Sequence, residues 1–155
     1  MIPSIRIARP GDARALISIA RSSGLFEPSE MQAMTGSISA WASGDDGPTW
    51  LIEDTEAPGG AAMLAEEPMS DAVWNLLFLG VAPARRRQGT ATALIAAAEA
   101  AARADGGRLM LVDTAGIDDQ APARACYLAA GYECEATIRD YYGDGVDRVT
   151  FRRGL

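Results

Sequence analysis

The chain has 155 residues, 48% of them apolar and 23% charged, with a formal net charge of −7. That length predicts one domain, residues 1–155, large enough for a real core. The acidic balance excludes general nucleic-acid binding, which needs an extended basic face.

Histidine and lysine are both absent. The lack of histidine removes Ser-His-Asp and Cys-His catalysis and leaves no metal site to expect.

Ser4–Ala8 alternates and predicts a strand, after which Asp12 opens an amphipathic helix carrying Leu16, Ile17, Ile19 and Ala20 and stopping near Gly24. Pro28-Ser29-Glu30 starts a second helix, with Met31, Met34, Ile38 and Trp41 at helical spacing, before a turn at Gly44–Pro48. Trp50–Glu53 and Gly60–Ala65 read as a hairpin across an acidic Pro-Gly loop.

Ala72–Ala82 is a longer, nearly all-apolar strand, which predicts burial on both faces. Gly89–Asp105 is a helix: nine of its residues are alanine, and Leu94, Ile95 and Ala98 form one stripe. Leu109–Val112 is another buried strand, and Ala121–Ala130 is a helix capped by Gly131. Tyr132–Asp140 and Val146–Arg153 close the chain as a hairpin around Gly143-Asp144-Gly145.

The order β-α-α-β-β-β-α-β-α-β-β places one βαβ unit, 73–112, inside a mixed sheet, so the class is α/β with an α+β character. No run reaches the roughly 18 apolar residues of a membrane span. The first residues lack the apolar core of a secretory signal, so the expected location is the cytoplasm. Cys126 and Cys134 fit no framework or zinc spacing and read as small core residues in a reducing compartment.

The stretch Val81–Ile95, VAPARRRQGTATALI, stands out on this acidic chain. Arg85, Arg86 and Arg87 form either a solvated turn or the approach to an anion site. The surroundings favour the anion. A buried strand turns through Gly89 into a helix whose first amides have no intrahelical partner and whose dipole adds partial positive charge. Small Thr90, Ala91 and Thr92 leave those amides uncovered. A Walker loop needs a Gly-Lys pair and a dinucleotide fingerprint needs three spaced glycines; neither is present.

These residues resemble the acyl-CoA-binding motif of the GNAT superfamily of N-acetyltransferases. Val81 and Pro83 lead to Arg86, Gly89 and Ala91 in the pattern V-x-P followed by [RQ]-x-x-G-x-[GA], and the later helix reads Tyr127-Leu-Ala-Ala-Gly131-Tyr132. The similarity is strong over about 74–151, whereas the first 70 residues agree only in element order.

The resemblance implies a GNAT-like single domain: a central mixed, mostly antiparallel sheet with one parallel splayed strand pair, 74–82 and 109–114, flanked by helices. It implies acetyl-CoA as co-substrate, with no metal. The pantetheine would pair with the strand edge near Leu79 and Val81. The pyrophosphate would meet amides of Arg86, Arg87, Gln88, Gly89, Thr90, Ala91 and Thr92, and the arginines would add charge-assisted contacts. A backbone amide between Leu79 and Val81 would polarise the thioester carbonyl.

Tyr127 matches the tyrosine that protonates the departing thiolate in many members; as a residue on its own it equally suits a helix-end aromatic packed on the sheet. Two departures from the family pattern are visible. The first splayed strand carries Asn75, Leu77 and Leu79 on its inward alternation where relatives often place a glutamate. Asn75 can orient a water but cannot be the base, for which Glu66, Glu67, Asp113, Asp140 or a water chain remain. Gln120 stands where relatives have an asparagine touching the pantetheine.

The implied activity is acetyl transfer to a primary amine, on a small molecule or a protein, by direct attack in a ternary complex. A covalent route through Cys126 is disfavoured, since helix neighbours point about 100° apart and no histidine activates the thiol. The alternative is a non-catalytic acyl-CoA sensor or interaction module on the same fold. The acceptor side would draw on helices 12–42, with Phe26 near its mouth. Glu27, Glu66, Glu67, Asp140 and Asp144 with Tyr141 and Tyr142 would suit a cationic amine or simply form a solvated surface. Folds of this kind often dimerise, so a homodimer is among the assemblies allowed. Neither nucleic acid nor membrane is an expected partner.

Overall fold

Seven strands join one mixed sheet in the order β1-β2-β3-β4-β5-β7-β6 in the computed structural model, which describes residues 2–155. The strands are β1 Ile5–Ile7, β2 Thr49–Glu53, β3 Gly60–Glu66, β4 Val73–Val81, β5 Leu109–Ala115, β6 Glu133–Gly143 and β7 Val146–Gly154. The helices are α1 Ala13–Ser22, α2 Pro28–Ala42, α3 Thr90–Ala104 and α4 Ala121–Ala129. This is the element order that the sequence predicts and the mostly antiparallel sheet that the family resemblance implies, with β4 and β5 as the parallel pair. Contacts group the chain into two compact units, Met1–Ala65 with Phe78–Ala98, and Glu66–Leu77 with Glu99–Leu155.

In the first unit, β2 pairs antiparallel with β1 and with β3. Its core gathers Leu16, Ile19 and Ala20 of α1, Ile38 of α2, Trp50 and Ile52 of β2, Ala61 of β3 and Phe78 of β4. The apolar stripe of α1 is the reason that helix forms: ten residues are marginal alone and are held by the face they bury. Gly60 has a packing reason, because a Cβ there would collide with Thr90 Cγ2 and press on Leu94. The missing side chain lets the first turn of α3 rest on β3.

In the second unit, the β4–β5 register runs from Val73↔Leu109 to Leu76↔Val112, and β5 pairs with β7 along its whole length. Met110, Val112, Trp74, Leu76, Tyr127, Tyr132 and Phe151 are buried there. The end of α4 explains the spacing Tyr127-x-x-x-Gly131-Tyr132. Gly131 takes φ +93, its amide bonds to Leu128 O at 3.1 Å and the Tyr132 amide to Tyr127 O at 3.0 Å. That is a Schellman cap, in which the residue after the glycine packs back on the helix. The Tyr127 and Tyr132 rings meet edge-on, 5.8 Å apart.

Two expectations need correction. Cys134 is exposed and Cys126 only partly buried, so they are not core residues. Cys134 lies on β6, whose eleven residues are all exposed because the strand pairs on one side only, with β7. Burial of β4 on both faces also fails: Trp74, Leu76 and Phe78 are buried while Leu77 is 50% exposed. The strand is apolar on both faces, but its second face is open from Leu77 onward.

Candidate active site

Four local devices build the turn between β4 and α3. Ala82 N bonds to Gly59 O at 2.6 Å and Arg85 N to Ala82 O at 2.8 Å, closing a 3-10 turn over Pro83–Arg85. Arg86 is extended, Arg87 takes φ +61 and Gly89 takes φ +84. A left-handed arginine costs about 1 kcal/mol or more, so the surrounding turn imposes it. Gly89 O then accepts the first helical bond, from Ala93 N at 3.0 Å.

A Cβ on Gly89 would meet only Pro3, at 3.8 Å, so glycine is needed there for its φ and for the open space before the amides. Among the described residues, the amides of Arg87 to Thr92 find no protein acceptor outside the helix. Thr90 is buried with its Oγ1 unpartnered. A row of free amides, a helix N-terminus and an orphaned hydroxyl fit the diphosphate of a nucleotide carrier.

The structure sorts the arginine triplet. Arg85 pairs with the buried Glu53 at 3.4 Å and donates to Ala57 O at 3.2 Å. Glu53 also accepts from Gly59 N at 2.9 Å, so Arg85 neutralises a carboxylate that burial would otherwise penalise. Arg86 reaches Val81 O at 3.3 Å and Ser23 O at 3.4 Å. Arg87, exposed, has no side-chain partner among the described residues and is the free cation of the three. Gln88 Nε2 donates to Ala84 O at 3.0 Å. Leu79 and Val81, at the C-terminal end of β4, are partly exposed.

The same unit holds a groove of about 550 Å³ lined by Arg21, Phe26, Pro28, Met31, Gln32 and Thr35. Phe26 stacks on Phe78 with ring centroids 5.6 Å apart, so one wall of the groove rests on β4 beside Leu79. Of these lining residues the sequence ties only Phe26 by name to the acceptor side, because the groove depends on how α1 and α2 pack.

In the second unit, Asn75 is buried and donates through Nδ2 to Glu67 Oε1 at 2.7 Å, with Asp113 Oδ2 at 3.5 Å. Thr150 donates to Asp113 at 2.6 Å, and Arg148 stands 3.7 Å from the same carboxylate and over the Tyr141 ring. Asn75 thus brings together two of the carboxylates considered as bases, Glu67 and Asp113. Glu66 is exposed, and Asp140 is occupied at the β6–β7 turn, accepting from Gly145 N at 2.8 Å. Gln120 Oε1 accepts from Ala115 N at 2.8 Å, which leaves its Nε2 as a donor.

Tyr127 is 4% exposed and packs on Tyr132 and Phe151. Burial pushes its phenol well above the ordinary tyrosine range, with Cys126 and Tyr132 adding to the shift, so it stays protonated at neutral pH. Burial also raises the Cys126 thiol, which disfavours a thiolate nucleophile there. Behind α4, Arg153 donates to Ala130 O at 2.6 Å and to the buried Glu99 at 3.1 Å. Glu99 is the lone acid of the alanine-rich helix α3 and lies on its buried side.

The sequence of residues 14–132 matches the family model of the acetyltransferase (GNAT) family, and the chain belongs to that family. No curated protein matches it in sequence.

Among solved structures, a GNAT-family protein from Desulfovibrio desulfuricans is 27% identical over 97% of this chain and 98% of its own, with a TM-score of 0.86. YncA of Salmonella typhimurium, solved with its cofactor acetyl-CoA, is 16% identical over 100% of this chain and 95% of its own, with a TM-score of 0.75. PaiA N-acetyltransferase of Thermoplasma acidophilum, in complex with coenzyme A, is 18% identical over 100% of both chains, with a TM-score of 0.72. These last two share the fold. No helix among the described residues is long and apolar enough to cross a membrane.

Proposed function

We propose that this protein transfers the acetyl group of acetyl-CoA to a primary amine by direct attack in a ternary complex. The observation that carries this reading is the β4–α3 turn, with its unpartnered amides from Arg87 to Thr92, the free Arg87 and the orphaned Thr90 hydroxyl. The diphosphate takes those donors, Gly89 and Ala91 keep the approach open, and Arg86 and Gln88 shape the turn. The pantetheine runs along Leu79 and Val81, and a backbone amide of that segment polarises the thioester carbonyl. A single donor of this kind is worth about 10²–10³ in rate.

The amine nitrogen forms a bond to the carbonyl carbon, the carbon–sulfur bond breaks, and the amine loses a proton. Glu67 is the acceptor of that proton, through a water oriented by Asn75, because Asn75 fixes one oxygen of its carboxylate at 2.7 Å and leaves the other free. Tyr127 donates a hydrogen bond to the departing thiolate. Its raised pKa suits a donor that stays protonated better than one that gives its proton up. Gln120 contributes an amide donor to the pantetheine.

Calorimetry with acetyl-CoA tests the carrier site, and thiol release across an amine panel tests turnover. Gly89→Trp fills the space before the amides and should abolish binding while the chain stays folded by circular dichroism. Binding of acetyl-CoA without thiol release over the panel would leave a sensor instead of an enzyme. Absence of binding by the wild-type chain would end the reading.

A further inference from the structure

We infer that the groove between α1 and α2 takes a free α-amino acid with an apolar side chain, its carboxylate held by Arg21. This rests on the acetyl-transfer reading and names the acceptor class. At about 550 Å³ the groove falls inside the roughly 300–1,000 Å³ typical of small-molecule sites. Its walls divide by chemistry: Phe26, Pro28 and Met31 are apolar, and Arg21, Gln32 and Thr35 are polar.

Arg21 sets the sign. The chain has 21 acidic residues, yet Arg21 makes no ion pair among the described residues, and no carboxylate lines the groove. Glu27 and Glu30 lie close in sequence, but the Glu30 carboxylate accepts from Glu27 N at 2.9 Å, at the start of α2. The Thr35 hydroxyl donates to Met31 O at 2.9 Å, which leaves Arg21 and Gln32 as the donors available to a ligand. A cationic polyamine finds no counter-charge here, whereas a carboxylate finds a guanidinium fork.

Position agrees with chemistry. Phe26 stacks on Phe78, the residue before Leu79, so the apolar wall of the groove is anchored on the strand that carries the proposed thioester segment. Arg86 also holds Ser23 O, tying the α1–α2 loop to the carrier turn. An α-amino acid carries the three required parts: a carboxylate for Arg21, an apolar side chain for Phe26 and Met31, and an α-amine to be acylated.

The test pairs direct binding with turnover. Methionine, phenylalanine, their carboxamides, spermidine and an amidated tripeptide are titrated into the full chain at saturating CoA, then assayed with acetyl-CoA. The free acids should bind and turn over at least about tenfold better than their amides, the scale of a charge-assisted pair. Arg21→Gln should remove that preference by raising KM for the acids, with acetyl-CoA affinity unchanged, and Arg21→Lys should retain part of it. Equal use of acid and amide, an unmoved KM in Arg21→Gln, or preference for spermidine or the peptide would each overturn the assignment. Should acetyl-CoA not bind while methionine still outcompetes its amide in the titration, the transfer reading fails and the groove assignment stands.

Discussion

Tyr127 shows how one residue can carry a packing role and a proposed chemical one without conflict. It is the residue from which the Schellman cap at Gly131 is anchored, and its ring packs on Tyr132 and Phe151, so it is a helix-end aromatic in the sheet. The same burial raises its pKa, so the phenol keeps its proton and is available as a donor. Tyr127→Phe keeps the rings and removes only the oxygen. Stopped-flow or steady-state assays should show kcat lower by about 10²-fold with acetyl-CoA affinity nearly unchanged. Unchanged turnover would leave the residue its packing role alone.

At this scale the sequence revealed the turn but not the division of labour within it. Arg85, Arg86 and Arg87 are identical letters, and only the fold shows that Arg85 belongs to Glu53 across a hairpin, while Arg87 is free. Asn75 and Glu67 lie eight residues apart on either side of the β3–β4 turn, and their pairing is a matter of register that composition does not encode.

Among elements, α4 depends on a tie that no local pattern announced. Arg153 on β7 donates to Ala130 O, at the C-cap of α4, and to Glu99 on α3, joining three elements through one guanidinium. Burial raises the Glu99 pKa, and Arg153 and then Arg103 oppose that shift. Removing Arg153 leaves a carboxylate that is 4% exposed without its nearest partner.

Arg153→Met should therefore cost about 2 kcal/mol at neutral pH, less than the roughly 3–5 kcal/mol for breaking a fully buried pair because the guanidinium is itself 38% exposed. Thermal melts would show this as a drop of some 4–8 °C. Glu99 with a raised pKa favours its neutral form in the fold, so its contribution to stability is greatest below its ordinary pKa and fades as pH rises. The deficit of the variant should shrink toward pH 4, and adding Glu99→Gln should recover part of it at neutral pH. A deficit independent of pH would point to lost packing of the arginine stem.

The elements themselves were legible because their signals are local: the period of α1, the Pro28 start of α2, the Gly131 stop and the apolar runs of β4 and β5. Cys134 was misplaced because an apolar neighbourhood in sequence says nothing about which strand ends at the sheet edge. The groove was invisible for a related reason. Arg21 and Gln32 lie on separate helices, and only packing brings their faces together.

For the molecule as a whole, acid stability is set in part near the N-terminus. Arg6 holds Asp12 by two hydrogen bonds, at 2.7 and 2.9 Å, and Arg9 N adds a third at 2.7 Å. These draw its pKa from an ordinary 3.8 down to about 2, with Arg6 the main cause. Because the folded value lies below the unfolded one, the stabilisation is fully present above about pH 4 and is lost as pH falls toward 2. Asp12→Asn should lower the melting temperature by some 2–4 °C at pH 6, for a change of about 1 kcal/mol, and the gap should close as pH approaches 2. A gap that persists at pH 2 would show that the asparagine disturbs packing.

Every cation in these ion pairs is an arginine, at Glu53, Glu99, Asp113 and Asp12 alike. A guanidinium stays protonated at any physiological pH and offers no lone pair to an activated ester. A catalyst that concentrates a reactive thioester beside its own surface risks modifying itself. Here that surface carries no side-chain amine to modify, so the electrostatic framework is chemically inert toward the very reagent the protein handles.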